Sequence, residues 1–250
     1  MSYAISGQRP SPMKAEQHSR RNVHRWRIPA EELLVFRLLP AADRPRWIER
    51  VRTPARGQRP QGSHYLDAGL SAVGRSFRES DPRIVEATIT ALLGKYGATD
   101  QPILKDMYRS NVALLQKFKT IDPTRLRPAV YEPVRIALVN PLLPIGEGSV
   151  EVPPTQVFSC SRQGVKGIGA TWLVARKGGY TEEETSLLCE LLHRFLQHQY
   201  AKRYPVHPEH CRVADLVNGS IVDRGSLANS GVGKELDGML GELLEWMSKE

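Results

Sequence analysis

The fold is decided by residues 168–200, which read IGATWLVARKGGYTEEETSLLCELLHRFLQHQY. The segment from Ile168 to Arg176 is long and apolar, which is typical of a central strand. Thr181 and Glu184 then form a capping-box pattern, and the three consecutive glutamates favour the positive end of a helix. Apolar residues recur at helical spacing from Leu187 to Tyr200. We therefore predict a central strand followed by a long capped helix that packs on it.

Shorter elements flank this pair on both sides. Residues Ser161 to Gly167 contain two glycines and predict a hairpin loop before the central strand, and Asn218-Gly219 predicts a two-residue hairpin turn after the helix. A last amphipathic helix is predicted from about Val232 to Met247. The other strand-like segments are residues 134–138, 150–152, 156–160, 211–216 and 220–222.

The N-terminal half is helical in pattern. Asp81-Pro82 is a helix start, since an N-cap acceptor precedes a proline at the first helical position. Residues 53–63 contain enough proline and glycine to exclude a helix or a central strand. The fold class is therefore mixed α+β, with a helical N-terminal layer followed by a small mixed sheet and flanking helices. The predicted division is a basic flexible arm at 1–27, a helical region at 28–125 and a mixed-sheet domain at 126–250.

Charge is concentrated at the N-terminus. Residues 1–60 hold 13 Lys and Arg against five Asp and Glu, and the remaining residues hold 22 of each. Arginine suits phosphate because its planar guanidinium donates paired hydrogen bonds. The arm therefore predicts nucleic-acid contact through Arg20, Arg21, Arg25 and Arg27, or else a solvated tail that binds nothing.

The sequence also indicates the cellular compartment in which the protein is expected. No run of apolar residues is long enough to span a bilayer, and the first residues lack the apolar stretch of a signal peptide. The three cysteines, Cys160, Cys189 and Cys211, suit a reducing compartment. We therefore expect a cytoplasmic protein without a membrane contact or a cofactor.

The second half, roughly residues 100–225, resembles the PD-(D/E)XK nuclease-like fold, and in particular a set of uncharacterised bacterial proteins that carry this fold behind a helical region. In active members, Pro-Asp ends one strand, and the next carries an Asp or Glu, any residue, and a Lys. The resemblance implies a fold made for metal-assisted phosphodiester cleavage. It is carried by GSVEV at 148–152, PPTQVF at 153–158, GIGATWL at 167–173, the helix from Thr181, and CRVAD at 211–215.

The chain departs from that pattern at each catalytic position. Pro154-Thr155 stands in place of Pro-Asp, Ala170 or Thr171 in place of the second acid, and Trp172 or Leu173 in place of the lysine. No Asp or Glu occurs from Val152 through Thr181. Hard divalent ions need carboxylate oxygens, so we predict no catalytic residues and no metal here. The acids that remain for a relocated site are Asp215, Glu151 and Glu132.

Two other patterns are weak. The residues His193, His198, His207, His210 and Cys211 are close in sequence, but His193 and His198 point in different directions on a helix, and the others lack a fourth ligand. The segment SGVGKE at 230–235 lacks the first glycine and the final Ser or Thr of a phosphate loop. Cys160 paired with His193 or His210 lacks a third orienting group, so a buried inert thiol is the simpler interpretation.

Three functional hypotheses follow. The first is a non-enzymatic scaffold or interaction protein on a degenerate nuclease-like fold, in a nucleic-acid-related assembly such as a bacterial defence or mobile-element system. The second is a nucleic-acid-binding subunit that uses the basic arm. The third is a metal-dependent nuclease with relocated acids.

The predicted arm can be tested by limited proteolysis. We expect a protease to trim the first 27 residues before any other part of the chain, because the segment has no apolar periodicity. Mass spectrometry of the fragments reads the first cut. Protection of this segment in the isolated protein would contradict the predicted domain division.

Overall fold

The structure is a computed structural model that describes residues 26–52, 65–135 and 139–249. In the described part, helices dominate the first half and strands the second, and a short 3-10 helix spans Pro123–Arg125 between them. In chain order the elements are β1 Arg27–Pro29, α1 Ala30–Leu38, α2 Arg44–Arg52, α3 Asp67–Glu79, α4 Arg83–Ala98, α5 Pro102–Lys119, β2 Glu132–Pro133, β3 Leu142–Ile145, β4 Gly148–Glu151, β5 Gln156–Arg162, β6 Val165–Val174, α6 Glu182–Tyr200, β7 Val206–Asp215, β8 Ser220–Asp223 and α7 Val232–Ser248. The mixed α/β class is confirmed.

The main sheet has five strands in the order β2-β5-β6-β7-β8. Strands β6 and β7 are parallel, and α6 makes the crossover between them, whereas the other neighbours are antiparallel. Thr181 Oγ1 accepts from the Glu184 backbone N–H at 3.2 Å, and the Glu184 carboxylate accepts from the Thr181 N–H at 2.8 Å. The predicted central strand and capped helix are therefore both confirmed.

Both predicted hairpins are present, but their turns differ in length from the prediction. The β5–β6 hairpin turns on only Gln163 and Gly164, which both have positive φ, so the strands pair as far as Arg162 and Val165. Positive φ at both positions suits the right-handed twist of a two-residue hairpin. The β7–β8 turn is instead wider than predicted and occupies residues 216–219, because the Gly219 N–H bonds to the Asp215 carbonyl at 2.7 Å.

The sequence predicts a single sheet, but the chain forms a second sheet of three strands in the order β1-β4-β3. Strand β1 pairs with β4 in parallel, and β3 pairs with β4 in antiparallel register. Pro153 and Pro154 follow β4 and have no backbone N–H, so the ladder cannot continue into β5. The strand predicted over 134–138 is also changed: β2 lies at 132–133, and residues 136–138 lie outside the described part.

The predicted N-terminal helical layer divides between two faces of the main sheet. Helices α1 and α2 share one apolar core with α6 and α7, while α3, α4 and α5 form a second core against the opposite face. Alternate residues of β6 decide this division: Trp172 and Val174 face the first core, and Leu173 faces the second. The architecture is thus helices on both sides of a mixed sheet.

Trp26 and Arg27, which the sequence predicts to lie in the arm, belong to the folded part of the chain. Trp26 is buried in the first core, and Arg27 begins β1. Gly148 allows this, since a Cβ there would lie 2.0 Å from the Trp26 ring. Residues 1–25, with Arg20, Arg21 and Arg25, lie outside the described part. No helix that the structure describes is both long enough and apolar enough to cross a bilayer.

The stability of the first core can be tested on α6. Leu191 and Phe195 are fully buried, so Leu191→Ala and Phe195→Ala are each expected to lower the free energy of unfolding by about 2–5 kcal/mol. Leu38→Ala is the matched control, because Leu38 is 69% exposed. Denaturant unfolding measures all three, and an unchanged midpoint for both α6 variants would contradict the packing.

Candidate functional site

A cleft of about 820 Å³ lies between α3 and the C-terminal end of β6. It coincides with the part of the chain where the resemblance expects an active site, since Pro154 and Thr155 form part of its wall. Helix α1 contributes Glu31 from a different side. The lining residues are Glu31, Asp67, Leu70, Ser71, Gly74, Arg78, Pro133, Val134, Pro153, Pro154, Thr155, Gln156 and Trp172 to Ala175.

One face of α3 forms a wall along the cleft. Asp67, Ser71, Gly74 and Arg78 recur at intervals of three or four residues, so they project on the same side of the helix. The buried Asn111 holds the start of α3, since its Oδ1 accepts from the Gly69 N–H at 2.7 Å and its Nδ2 donates to the Tyr65 carbonyl at 2.6 Å. The wall of the cleft is therefore anchored.

The opposite wall uses its polar side chains for internal hydrogen bonds. Thr155 Oγ1 accepts from the Leu173 N–H at 2.9 Å. Gln156 Oε1 accepts from the Arg127 guanidinium at 2.8 Å, and Thr171 Oγ1 donates to the Leu126 carbonyl at 2.5 Å. Thr155 stands where the resemblance expects a carboxylate, and the buried Thr171 is one of two candidates, with Ala170, for the second position; both hydroxyls join strands and loops to one another.

Glu31 is the cleft residue with the most unusual electrostatics. Burial raises the pKa of its carboxyl group above the ordinary value of 4.5, and the nearby charges of Glu151 and Glu32 raise it further. Those two neighbours have cations of their own: Glu151 pairs with Arg27 at 2.6 Å, and Glu32 pairs with Arg50 at 2.7 Å. No cation among the described residues pairs with Glu31. A cleft carboxylate with a raised pKa is a typical functional residue.

The three acids considered for a relocated site are not brought together. Asp215 is fully buried, and its two carboxylate oxygens accept from the Tyr180 and Val217 N–H groups at 2.8 and 2.9 Å. Glu132 bonds to Lys166 at 2.7 Å, which lowers its pKa. Glu151 pairs with Arg27, one of the predicted nucleic-acid contacts. Within residues 26–52, 65–135 and 139–249, no three His, Cys, Asp or Glu side chains are arranged to hold a metal ion.

The histidine and cysteine candidates do not form a metal site among the described residues. His207 Nε2 and His210 Nδ1 are buried without a hydrogen-bond partner in the described structure, and their ring centroids are 6.0 Å apart. The Cys211 thiol instead donates to the His207 carbonyl at 3.3 Å. Burial raises the pKa of Cys160, which disfavours the thiolate that a nucleophile needs.

The phosphate-loop-like segment forms the start of the last helix. Gly231 precedes α7 with φ of 76°, a conformation that glycine adopts without strain. Lys234 lies within the first turn of the same helix.

Comparison with known proteins does not assign the chain to a family: no family model matches it, and no curated protein is significantly similar to it. The functional argument therefore depends on the geometry of the cleft.

The sequence did not predict Glu31 or Arg78 as site residues. Glu31 begins a short helix together with Glu32, which is the ordinary place for an acid at a helix N-terminus. Nothing local indicates that it lines the same cleft as Pro154, which lies more than a hundred residues later. Only the pairing of β1 with β4, which brings Pro29 beside Glu151, puts Glu31 at the cleft.

The electrostatic cost at Glu31 can be measured. Its folded-state pKa is raised, so folding disfavours the ionised form, and stability is lost as the pH rises above about 4.5. We expect Glu31→Gln to increase the free energy of unfolding at pH 7 and to leave it unchanged near pH 3, where the carboxyl group is already protonated.

Glu32→Gln is the matched control. Glu32 accepts from Trp47 Nε1 at 3.0 Å and from Arg50, so its replacement should decrease stability at pH 7. Urea unfolding at both pH values measures the effects. A loss of stability in Glu31→Gln at pH 7 would contradict the electrostatic cost assigned to Glu31.

Proposed function

We propose that this chain is a non-enzymatic interaction or scaffold protein on a nuclease-like fold, and that it acts in a nucleic-acid-related assembly such as a bacterial defence or mobile-element system. One observation carries the proposal. Thr155 occupies the position that the resemblance gives to a metal-binding acid, and its hydroxyl accepts from the Leu173 N–H. A neutral oxygen that is committed to the backbone is a poor ligand for a hard divalent ion.

The neighbouring hydrogen bonds support the same proposal. Thr171 donates to the Leu126 carbonyl, and Gln156 accepts from Arg127. Arg127 also donates to the Phe77 carbonyl at 2.7 Å, so these bonds connect the sheet to α3 and to the segment after α5. Side chains at or beside the positions that the resemblance gives to catalytic acids thus have structural partners, which supports a scaffold without metal chemistry.

The topology supports the nuclease-like part of the proposal. An antiparallel hairpin, β5–β6, is followed by the crossover helix α6 and the parallel strand β7. The resemblance rests on this same order of elements. The cleft beside the hairpin supports a retained binding surface.

The basic arm supplies the proposed nucleic-acid link. Arg27 is paired with Glu151, so the contact would depend on Arg20, Arg21 and Arg25. The three cysteines are buried and unpaired with one another, which favours the reducing environment of the cytoplasm.

A second candidate is a hydrolase that draws its acids from the helices. Glu31 and Asp67 both line the cleft, and each comes from outside the hairpin that carries the acids in active nucleases. Two carboxylates in one cleft are the minimum that metal-assisted phosphodiester cleavage requires.

Cleavage assays separate the two candidates. The full chain is incubated with plasmid, linear duplex and single strands, in both Mg²⁺ and Mn²⁺, and we expect no cleavage. Glu31→Gln and Asp67→Asn are the matched variants, because they remove charge while keeping shape. Asp215 is unsuitable for this purpose, since its replacement would leave two buried N–H groups without an acceptor. Cleavage by the native chain that both variants abolish would establish the hydrolase and contradict the scaffold.

A further inference from the structure

Strand β7 contains a bulge at residues 207–210, which read HPEH. Ile168 pairs with Val206 and Ala170 pairs with Cys211, so two steps along β6 correspond to five steps along β7. The three additional residues of β7 therefore stand outside the ladder between the two strands. The bulge lies beside the start of β6, whereas the cleft lies at the end of that strand.

Two histidines of the bulge lie against glycines of β6. A Cβ at Gly167 would be 2.4 Å from His207 Nε2, and a Cβ at Gly169 would be 2.7 Å from His210 Cβ. His207 is 6% exposed, and both His207 Nε2 and His210 Nδ1 are buried without a hydrogen-bond partner in the described structure. Buried polar atoms without a partner are rare in folded proteins, and each one needs an explanation.

The bulge covers a cysteine of the next strand. Cys160 pairs with Gly167, so its side chain lies on the same face of the sheet as the His207 ring. Cys160 is 5% exposed but belongs to neither apolar core, and the same is true of Phe158, which pairs with Gly169. The bulge therefore covers a part of this face that the helices of the second core do not.

The surroundings of the two rings favour neutral imidazole. Burial lowers the pKa of His210 below its ordinary value of 6.5, and the nearby charge of Arg212 lowers it further. His207 and Arg162 act in the same direction, whereas Glu209 opposes them but is paired with Arg162 at 2.8 Å. Protonation makes both nitrogens of an imidazole donors, so it would leave a buried N–H without an acceptor beside two arginines.

The other charged groups around the bulge already have partners. Arg212 donates to two backbone carbonyls. Asp223 and Glu209 both lie against Gly225, and Asp223 accepts from the Ser226 N–H at 2.9 Å. No carboxylate of the described chain forms a hydrogen bond with either buried ring nitrogen. An added proton on the rings would therefore have no counterion in the closed bulge.

We propose that the bulge is a pH-sensitive cover over Cys160, which stays closed while both imidazoles are neutral and moves away from β6 when acid protonates them. In the open state a histidine binds protons at its ordinary pKa of about 6.5, and in the closed state it binds them less readily. The closed state therefore loses stability as the pH falls below about 6.5. This inference goes beyond the proposed function, because it concerns the opposite end of β6 from the cleft.

Thiol labelling of the full chain tests the proposal. 4,4′-Dithiodipyridine reacts with thiols in mildly acidic solution, and the same chain unfolded in urea gives the reference rate at each pH. Relative to that reference, we expect Cys160 to be labelled about tenfold faster at pH 5.5 than at pH 7.5, since one proton with an open-state pKa of about 6.5 changes the open population by that factor. Peptide mapping identifies the labelled cysteine. Cys189 is buried on α6 in the first core, so its labelling reports global unfolding.

Histidine variants separate the two imidazoles from other effects of acid. His207→Phe and His210→Phe keep a planar ring but remove the titratable nitrogens, so the double variant should label Cys160 at the same relative rate at both pH values. His198→Gln is the matched control, because His198 is exposed on α6 and should leave the native pH dependence unchanged. Circular dichroism confirms that each variant is folded.

A glycine variant tests the cover in a chain that keeps both histidines. Gly167→Ala places a methyl group 2.4 Å from His207 Nε2, so Cys160 should be labelled faster than in the native chain at the higher pH. Gly94→Ala is the matched control, because a Cβ there meets nothing within 4 Å. A folded Gly167→Ala chain in which Cys160 stays protected would contradict the proposed cover.

Other results would also overturn the proposal. If Cys160 stays protected at the lower pH in the native chain, the bulge does not open. If Cys160 and Cys189 are labelled together, acid unfolds the whole chain. Acid-dependent labelling that persists in the folded histidine double variant would assign the titration to another group. Protection of Cys160 by added Zn²⁺ that the double variant abolishes would reassign the bulge to a metal site.

Discussion

The parallel pairing of β6 with β7 is the constraint on which the rest of the structure depends. Parallel neighbours need a crossover, and in this chain α6 makes it, with most of its residues from Glu184 to Leu196 buried. The apolar face of α6 covers one side of the sheet. The apolar residues on the other side of β6 therefore need a second layer of helices to bury them. Helices α3, α4 and α5 fill that second position. Both apolar cores and the cleft between α3 and β6 follow from this arrangement.

Polar contacts then tie the two sides together. Arg127 lies between the Phe77 and Tyr131 rings, at 4.4 and 4.5 Å from their centroids, while it donates to Gln156. On the opposite side, the buried Glu190 pairs with Arg194 and Arg224 and joins α6 to the segment after β8. Removing one member of such a network leaves a buried charge uncompensated, which typically costs more than the pair itself contributes. Arg127 and Glu190 thus have structural roles.

Glu31 differs from these residues. Its neighbours Glu32 and Glu151 are neutralised by arginines, whereas Glu31 itself stays in the cleft with a raised pKa. Among the described residues, the buried carboxylates Glu184, Glu190 and Asp215 all have partners, whereas Glu31 has no cation, and a desolvated carboxylate without a cation lowers stability. Proteins retain such costs at sites that bind ligands. The same residue therefore connects the stability argument with the cleft.

The sequence by itself determined the local elements. The capping box at Thr181, the apolar period of α6, the uncharged stretch of β6 and the last helix from Val232 were all predictable, because their causes lie within a few residues. The absence of carboxylates between Val152 and Thr181 was also evident from the sequence, since it depends only on residue type. Long-range contacts were not predictable in this way.

Tertiary structure alone decided where those elements lie. Strand β1 has three residues, too few for a pattern, and its pairing with β4 brings Glu31 to the cleft that Pro154 also lines. The N-terminal helices divide between two faces according to the side of β6 on which the apolar face of each helix packs. The apolar pattern of a helix shows that one face is buried, but it does not show which surface buries it. Asp215 shows the same limit: it was a candidate ligand by residue type, and the fold places its carboxylate on two backbone N–H groups. Residue type determines what a side chain can bond to, and the fold determines what it meets.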